Sequence, residues 1–193
     1  MRFIEDYLKI EPTSLPPAPG RILISVPFFN DPFFYRSVVL LTDYEPDSTA
    51  GFILNKESDY SVREIVSDIK VDDAVYVGGP VMSSVVFGIH NHDNTKKSAK
   101  LLPGVYVGYD NMFLTLIETK AIETMKYKFF IGYSGWSPGQ LDDEIERKLW
   151  VVGNPTPDLI FDTPADLIWE HAVRLLGKNY LHWLDIPFNA GDN

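Results

Sequence analysis

The chain has no cysteine, which excludes disulfides, thiolate nucleophiles and zinc–thiolate sites. Histidine is scarce, with only His90, His92, His171 and His182 in 193 residues. Positive charge is in deficit: 17 Lys and Arg face 27 Asp and Glu, for a net charge of −10. Such a balance disfavours a protein whose main task is gripping nucleic-acid phosphates, so direct nucleic-acid binding is not expected. Lys96, Lys97 and Lys100 are the tightest lysine cluster and read as a solvated loop. No apolar run approaches the length of a membrane span. The first residues (Met1-Arg2-Phe3-Ile4-Glu5-Asp6) carry charge where a secretory signal needs an apolar core, so the expected location is cytoplasmic, without a membrane role. Internal repeats, a P-loop lysine, a G-x-G-x-x-G spacing and a helix-turn-helix with a basic recognition helix are all missing.

What remains, 45% hydrophobic and 23% charged, suits one globular domain with a sizeable core. Residues 1–19 read as a short amphipathic helix (2–9) followed by an arm with Pro12, Pro16, Pro17 and Pro19. Residues 20–193 read as a single domain with an aromatic tail. Strands are expected at 21–26, 37–42, 51–55, 74–77, 85–90, 104–108 and 127–131, and a short one at 159–161. The strands at 37–42 and 51–55 would form a hairpin across a long polar loop (43–50). Ser61 with Glu64 has capping-box spacing for a helix to about residue 69. Asp110 caps a helix carrying Phe113 and Ile117; another helix runs over 140–150. A last helix is capped by Asp162 or Thr163, has Pro164 in its first turn and closes at Gly177. The tail (Tyr180, Trp183, Phe188) would fold back on the body. The class is mixed α+β.

The most informative stretch is 131–150, IGYSGWSPGQLDDEIERKLW. Gly132, Gly135 and Gly139 with Pro138 read as a defined turn between a strand and a helix. Gly132-Tyr133-Ser134-Gly135-Trp136 fails the G-x-S-x-G nucleophile pattern, because Trp136 stands where the second glycine is required. Asp142, Asp143 and Glu144 in the following helical turn would repel a phosphate, so helix capping explains the segment better than anion binding. His90-x-His92-Asp93 lacks a further spaced ligand, and no metal is assigned. Arg36 and Arg174 are expected to be partly buried, with Asp31, Asp162 or Glu144 as carboxylate partners. Gly78-Gly79-Pro80 reads as a backbone turn able to floor a pocket.

In combination these segments resemble the YqgE/AlgH family of bacterial proteins. The matches are Asp31-Pro32-Phe33, Arg36 through Leu41, Gly51 with Leu54-Asn55, Val75 through Val81, and His90. They continue through Gly132 to Leu141, Glu144, Trp150, Phe161 through Pro164, Trp169 and Arg174 through Gly177. The family usually has alanine at the place of Ser134 and glycine at that of Ser137. The resemblance implies a single compact domain with a bifurcated, partly barrel-like mixed β-sheet surrounded by helices. It implies no reaction; the family's transcriptional-regulator label derives from genetic association in one member.

The expectation is therefore a non-enzymatic protein that binds a protein partner or small ligand, without cofactor or metal, with a transcriptional-regulatory role exerted through a partner. The alternative is an enzyme or small-molecule binder with a pocket where Gly78-Gly79-Pro80 nears Gly135-Trp136. The candidate surface is Asp31, Arg36, Gly78, Gly79, Pro80, His90, Tyr133, Gly135, Trp136, Gln140 and Glu144. An exposed Trp136 would favour recognition; a buried one would make its motif structural.

Overall fold

Runs of β-branched and aliphatic residues form the first strands. In a computed structural model describing residues 15–29, 31–66, 71–93 and 96–187, they join a ten-stranded mixed sheet. The helix expected at 2–9, Pro12 and Phe188 lie outside the described residues. Strand β1 (Ile22–Ser25) lies antiparallel to β2 (Val38–Glu45), which turns through two residues into β3 (Ser48–Ile53). Next come β4 (Glu57–Ser61), α1 (Val62–Ile65), β5 (Ala74–Val77) and the long β6 (Val81–His90). They are followed by β7 (Ala99–Leu102), β8 (Val105–Val107), α2 (Asn111–Glu118) and β9 (Tyr127–Trp136). The chain then makes α3 (Gln140–Glu146), β10 (Trp150–Gly153), α4 (Pro157–Phe161), α5 (Ala165–Leu176) and a 3-10 helix (Lys178–Asp185).

The sheet path is β10-β1-β2-β3-β9-β6-β8-β7, and it does not close into a barrel. It forks at β9. Residues Phe129 to Ile131 pair in parallel with β5, which carries β4, whereas Ser134 to Trp136 pair antiparallel with β3. Strand β1 and the first half of β2 (Val38 to Leu41) are buried on both faces, as their apolar runs require. Alternation divides them: Ile22, Ile24 and Leu40 face Leu159, Ile168, Trp169, Val173 and Trp183. Leu23, Val39 and Leu41 face Trp136, Leu141 and Trp150. A third cluster, with Val75, Phe113 and Phe129, fills the smaller branch.

Several expectations need correction. The glycine segment 132–136 is strand, not turn, and the turn proper is confined to residues 137–139. Helix α3 stops at Glu146; Lys148 takes a left-handed φ of 62°, and Trp150 opens a strand. Residues 159–161 are helical because Thr156 caps Leu159 N–H and Pro157 presets the first turn. The long loop at 43–50 is mostly hairpin, held in pairs from Asp43–Ala50 to Glu45–Ser48. Arg174 is exposed and pairs with Glu170 one helical turn away. The Ser61–Glu64 capping box, the Asp110 cap and the burial of Tyr180 and Trp183 agree with expectation.

Lys128 on β9 is buried, its Nζ 4.4 Å from the centre of the Tyr76 ring and without a hydrogen-bond partner among the described residues. Burial lowers its pKa from 10.5 to about 8. The folded value lies below the unfolded one, so this group's penalty is full below the folded pKa and fades as pH rises towards 10.5. Lys128→Met is therefore expected to stabilise the protein by about 1–2 kcal/mol near neutral pH, a margin that shrinks in alkaline urea-unfolding series.

Candidate functional site

The fork is built from close backbone approaches. Gly78 follows β5, donates its N–H to Ile131 O (2.9 Å), and accepts Ile53 N–H (3.0 Å) and the Ser134 hydroxyl (3.0 Å). A Cβ on Gly78 would stand 2.3 Å from Gly132 O, and one on Gly79 would stand 2.3 Å from Ser134 N. Gly78-Gly79-Pro80 thus does approach Gly132 to Gly135, but the space between is filled by backbone. Ser134 is fully buried and its hydroxyl is spent on the Gly78 carbonyl. Tyr133 packs edge-on against Phe87.

One carboxylate organises the rest of the motif. Glu144 Oε2 accepts the indole N–H of both Trp136 (2.9 Å) and Trp150 (2.8 Å), and Oε1 accepts Gln140 Nε2 (2.8 Å). Gln140 Oε1 in turn accepts Ser137 N–H. Trp136 is 6% exposed and Trp150 2%, with Phe34 packed against both rings. Burial and bonding together make these side chains a clamp within the fold.

His90 is fully buried between Tyr106 and Phe113. His92 N–H donates to Nδ1, and Nε2 meets Ser98 Oγ at 2.7 Å, whose hydroxyl bonds the Gly108 carbonyl. Nε2 is accordingly the protonated nitrogen of a neutral ring, and burial pushes its pKa below the ordinary value. With both nitrogens engaged, it is not set up as a metal ligand; among the described residues no group of three or more His, Asp or Glu is placed to hold a metal ion. Asp31 accepts Phe33 and Phe34 N–H and shapes the turn before Arg36.

Arg36 stands elsewhere, at the floor of a 440 Å³ cavity between the start of β2, the residues after β3, α5 and the end of the 3-10 helix. Only 7% exposed, it has a left-handed φ of 44°, which is uncommon for a residue with a side chain. Asn55 holds that backbone by donating to Arg36 O and accepting Val38 N–H, each at 2.9 Å. The Arg36 guanidinium lies 4.8 Å from the Trp169 ring centre and donates to the Ile186 carbonyl. Lys56 reaches the same cavity, its Nζ bonded to Tyr35 O (3.0 Å) and its pKa lowered by burial. The carboxylates expected to pair with arginine are engaged elsewhere: Asp162 with Lys126, Glu144 with the tryptophans, Asp31 in its turn.

Comparison with known proteins agrees with this architecture. A family model described as DUF179, AlgH-like, matches residues 22–181. The chain belongs to the AlgH-like family. A UPF0301 protein of Parabacteroides distasonis is 35% identical over 193 residues, covering 97% of each chain. A UPF0301 protein of Chlorobium luteolum is 35% identical over 166 residues, covering 84% of this chain and 88% of its own. A crystal structure from Corynebacterium diphtheriae shares the fold with a TM-score of 0.76 at 24% identity, covering 92% of this chain and 95% of that one. The solution structure of AlgH from Pseudomonas aeruginosa does so with a TM-score of 0.70 at 23% identity, covering 94% and 100%. Among the described residues, no helix is long and apolar enough to cross a membrane.

In this AlgH-like chain the expected site residues do not converge. Gly78 to Pro80, Tyr133 and Gly135 make the fork; Trp136, Gln140 and Glu144 make the clamp; His90 closes the smaller branch; and Arg36 lines a cavity. Lys56, Trp169 and Glu170, which share that cavity, are not among the candidates. A signal for Lys56 exists: with Val39 opposite Ile53, continuing the β2–β3 register sets Arg36 opposite Lys56. A 690 Å³ cavity beside α2 gathers none of the expected residues and is lined by Asp72, Asp73, Glu118, Glu123 and Tyr127, among others.

Proposed function

We propose that this AlgH-like protein binds a small ligand in the Arg36–Lys56–Trp169 cavity and acts as a non-catalytic regulator through a protein partner. The observation that carries the reading is the convergence there of two half-buried or buried cations and a tryptophan, on a backbone held left-handed at Arg36. Strained backbone and convergent ionisable groups in a concave site are the usual marks of a ligand pocket. A binding role is further supported by the structural employment of the chain's reactive-looking groups: Ser134, His90 and Glu144 each serve packing or hydrogen bonding within the fold.

The test is a thermal-shift screen of metabolite-sized compounds, anionic, neutral and cationic, against the wild type and Lys56→Gln. A compound that raises the wild-type midpoint and loses its effect in the variant supports the reading. Stabilisation of both proteins to the same extent by every binder would place the site elsewhere.

A further inference from the structure

The two ends of the β2–β3 hairpin bring unlike sequence neighbours together. Arg36 precedes β2 and Lys56 follows Ile53 by the same interval that separates Arg36 from Val39, so the two cations meet across the hairpin's open end. Both line the cavity, Arg36 buried and Lys56 half-buried. The cavity's carboxylates occupy different positions. Asp166 and Asp185 are exposed, and Glu170 is held by Arg174 through bonds of 2.6 and 3.1 Å. Charges in contact with water are screened, whereas buried ones are screened much less, so the cationic floor sets the preferred sign of an occupant. The Arg36 guanidinium lies over the Trp169 ring, 4.8 Å from its centre, and a guanidinium fork matches an oxyanion in two-point contact.

Leu184 to Pro187 line the cavity, and the Ile186 carbonyl accepts from Arg36 Nη2. A carbonyl is a neutral acceptor, and a charged oxygen forms a hydrogen bond roughly twice as strong. Trp183 is buried and stacked on Trp169, so the chain up to that residue stays anchored whatever happens beyond it.

We propose that the cavity takes an oxyanion, the carboxylate or phosphoryl end of a small metabolite, and that its bond to Arg36 displaces the Ile186 carbonyl and loosens the strap formed by Leu184 to Pro187. This rests on the reading of the cavity as a ligand site. Occupancy and strap release are then linked: each favours the other by the same factor. The strap gives a bound ligand a means of changing the surface offered to a partner.

The experiment is a 15N NMR titration of the wild type and Lys56→Gln with inorganic phosphate and, separately, acetate, against sodium chloride at matched ionic strength. Saturable shifts are expected at the Arg36 side chain and the Trp169 indole. At saturation the Ile186 amide, which bonds Trp183 O, should exchange faster with solvent. Lys56→Gln should bind at least about tenfold more weakly, the usual cost of one charge-assisted hydrogen bond. Tighter phosphate than acetate binding assigns a phosphoryl group, and the reverse a carboxylate. Non-saturable shifts, or equal affinity in the variant, overturn the oxyanion assignment; unchanged Ile186 exchange at saturation overturns the strap. Glycerol and tetramethylammonium separate the two levels. If either reaches Trp169 where both anions fail, the oxyanion is wrong and the ligand site stands. If none of the four reaches it, both readings fall.

Discussion

Gly78→Ala is expected to cost more than about 4 kcal/mol, enough to leave little folded protein at ambient temperature. The added Cβ would sit 2.3 Å from the Gly132 carbonyl oxygen and 3.1 Å from both the Phe130 Cβ and the Phe52 ring. The obstructing atom is backbone, so no rotamer change relieves it; β5 must part from β9. That movement would strip Gly78 of its bonds to Ile131, Ile53 and Ser134 together. Gly139→Ala is the control. Gly139 has a left-handed φ of 76°, but a Cβ added there would meet nothing within 4 Å, so only backbone strain is introduced, on the order of 1 kcal/mol. Soluble yield and urea unfolding of the two variants separate a glycine required for space from one required for conformation. Equal losses would mean the fork is looser than described.

Glu144→Ala should be the next most damaging change, at about 3 kcal/mol, because it orphans the indole N–H groups of two buried tryptophans. For a domain of this size that lowers the midpoint of thermal unfolding by about 10 °C. Glu144→Gln keeps an oxygen to accept both indoles and turns its amide towards the Gln140 amide, so its loss should be about 1 kcal/mol. Near-ultraviolet circular dichroism follows the tryptophan environment in the same samples. A Glu144→Ala protein with wild-type stability would contradict a structural role for the clamp and return it to consideration as a recognition surface.

Legibility in the sequence follows the physics of each signal. Ile22 to Ser25 and Val38 to Leu41 are readable because a strand buried on both faces is apolar at nearly every position. Caps at Ser61 and Asp110 are readable because their partners lie within three residues. Strand β4 is not, since Glu57–Ser61 carries mostly polar residues and borrows its order from a neighbour, and β7 is not, since four residues are too few to show an alternation. Ile145 and Leu149 keep a helical spacing that carries the expectation on to Trp150, and the left-handed Lys148 that breaks it has no residue signature. The glycines at 132 and 135 suggest a turn because glycine is the common turn residue; at a fork of strands it is also the residue that lets backbones touch. The cavity is half legible. Arg36 stands out, whereas the pairing that brings Lys56 opposite it depends on a bulge between Leu41 and Asp43 that shifts the register by one. Trp169 and Ile186 arrive from elements more than a hundred residues away.

The chain's four tryptophans permit one decisive measurement. Trp136 and Trp150 belong to the clamp, Trp169 to the cavity, and Trp183 to the core beside it. Their indole N–H signals, assigned by single Trp→Phe substitutions, should be followed while the tightest compound from the ligand screen is added. Movement of the Trp169 signal with Trp136 and Trp150 unmoved is the predicted result, placing the ligand on Arg36 and Lys56. Movement of Trp136 and Trp150 with Trp169 unmoved would contradict it and make the glycine–tryptophan segment the functional surface.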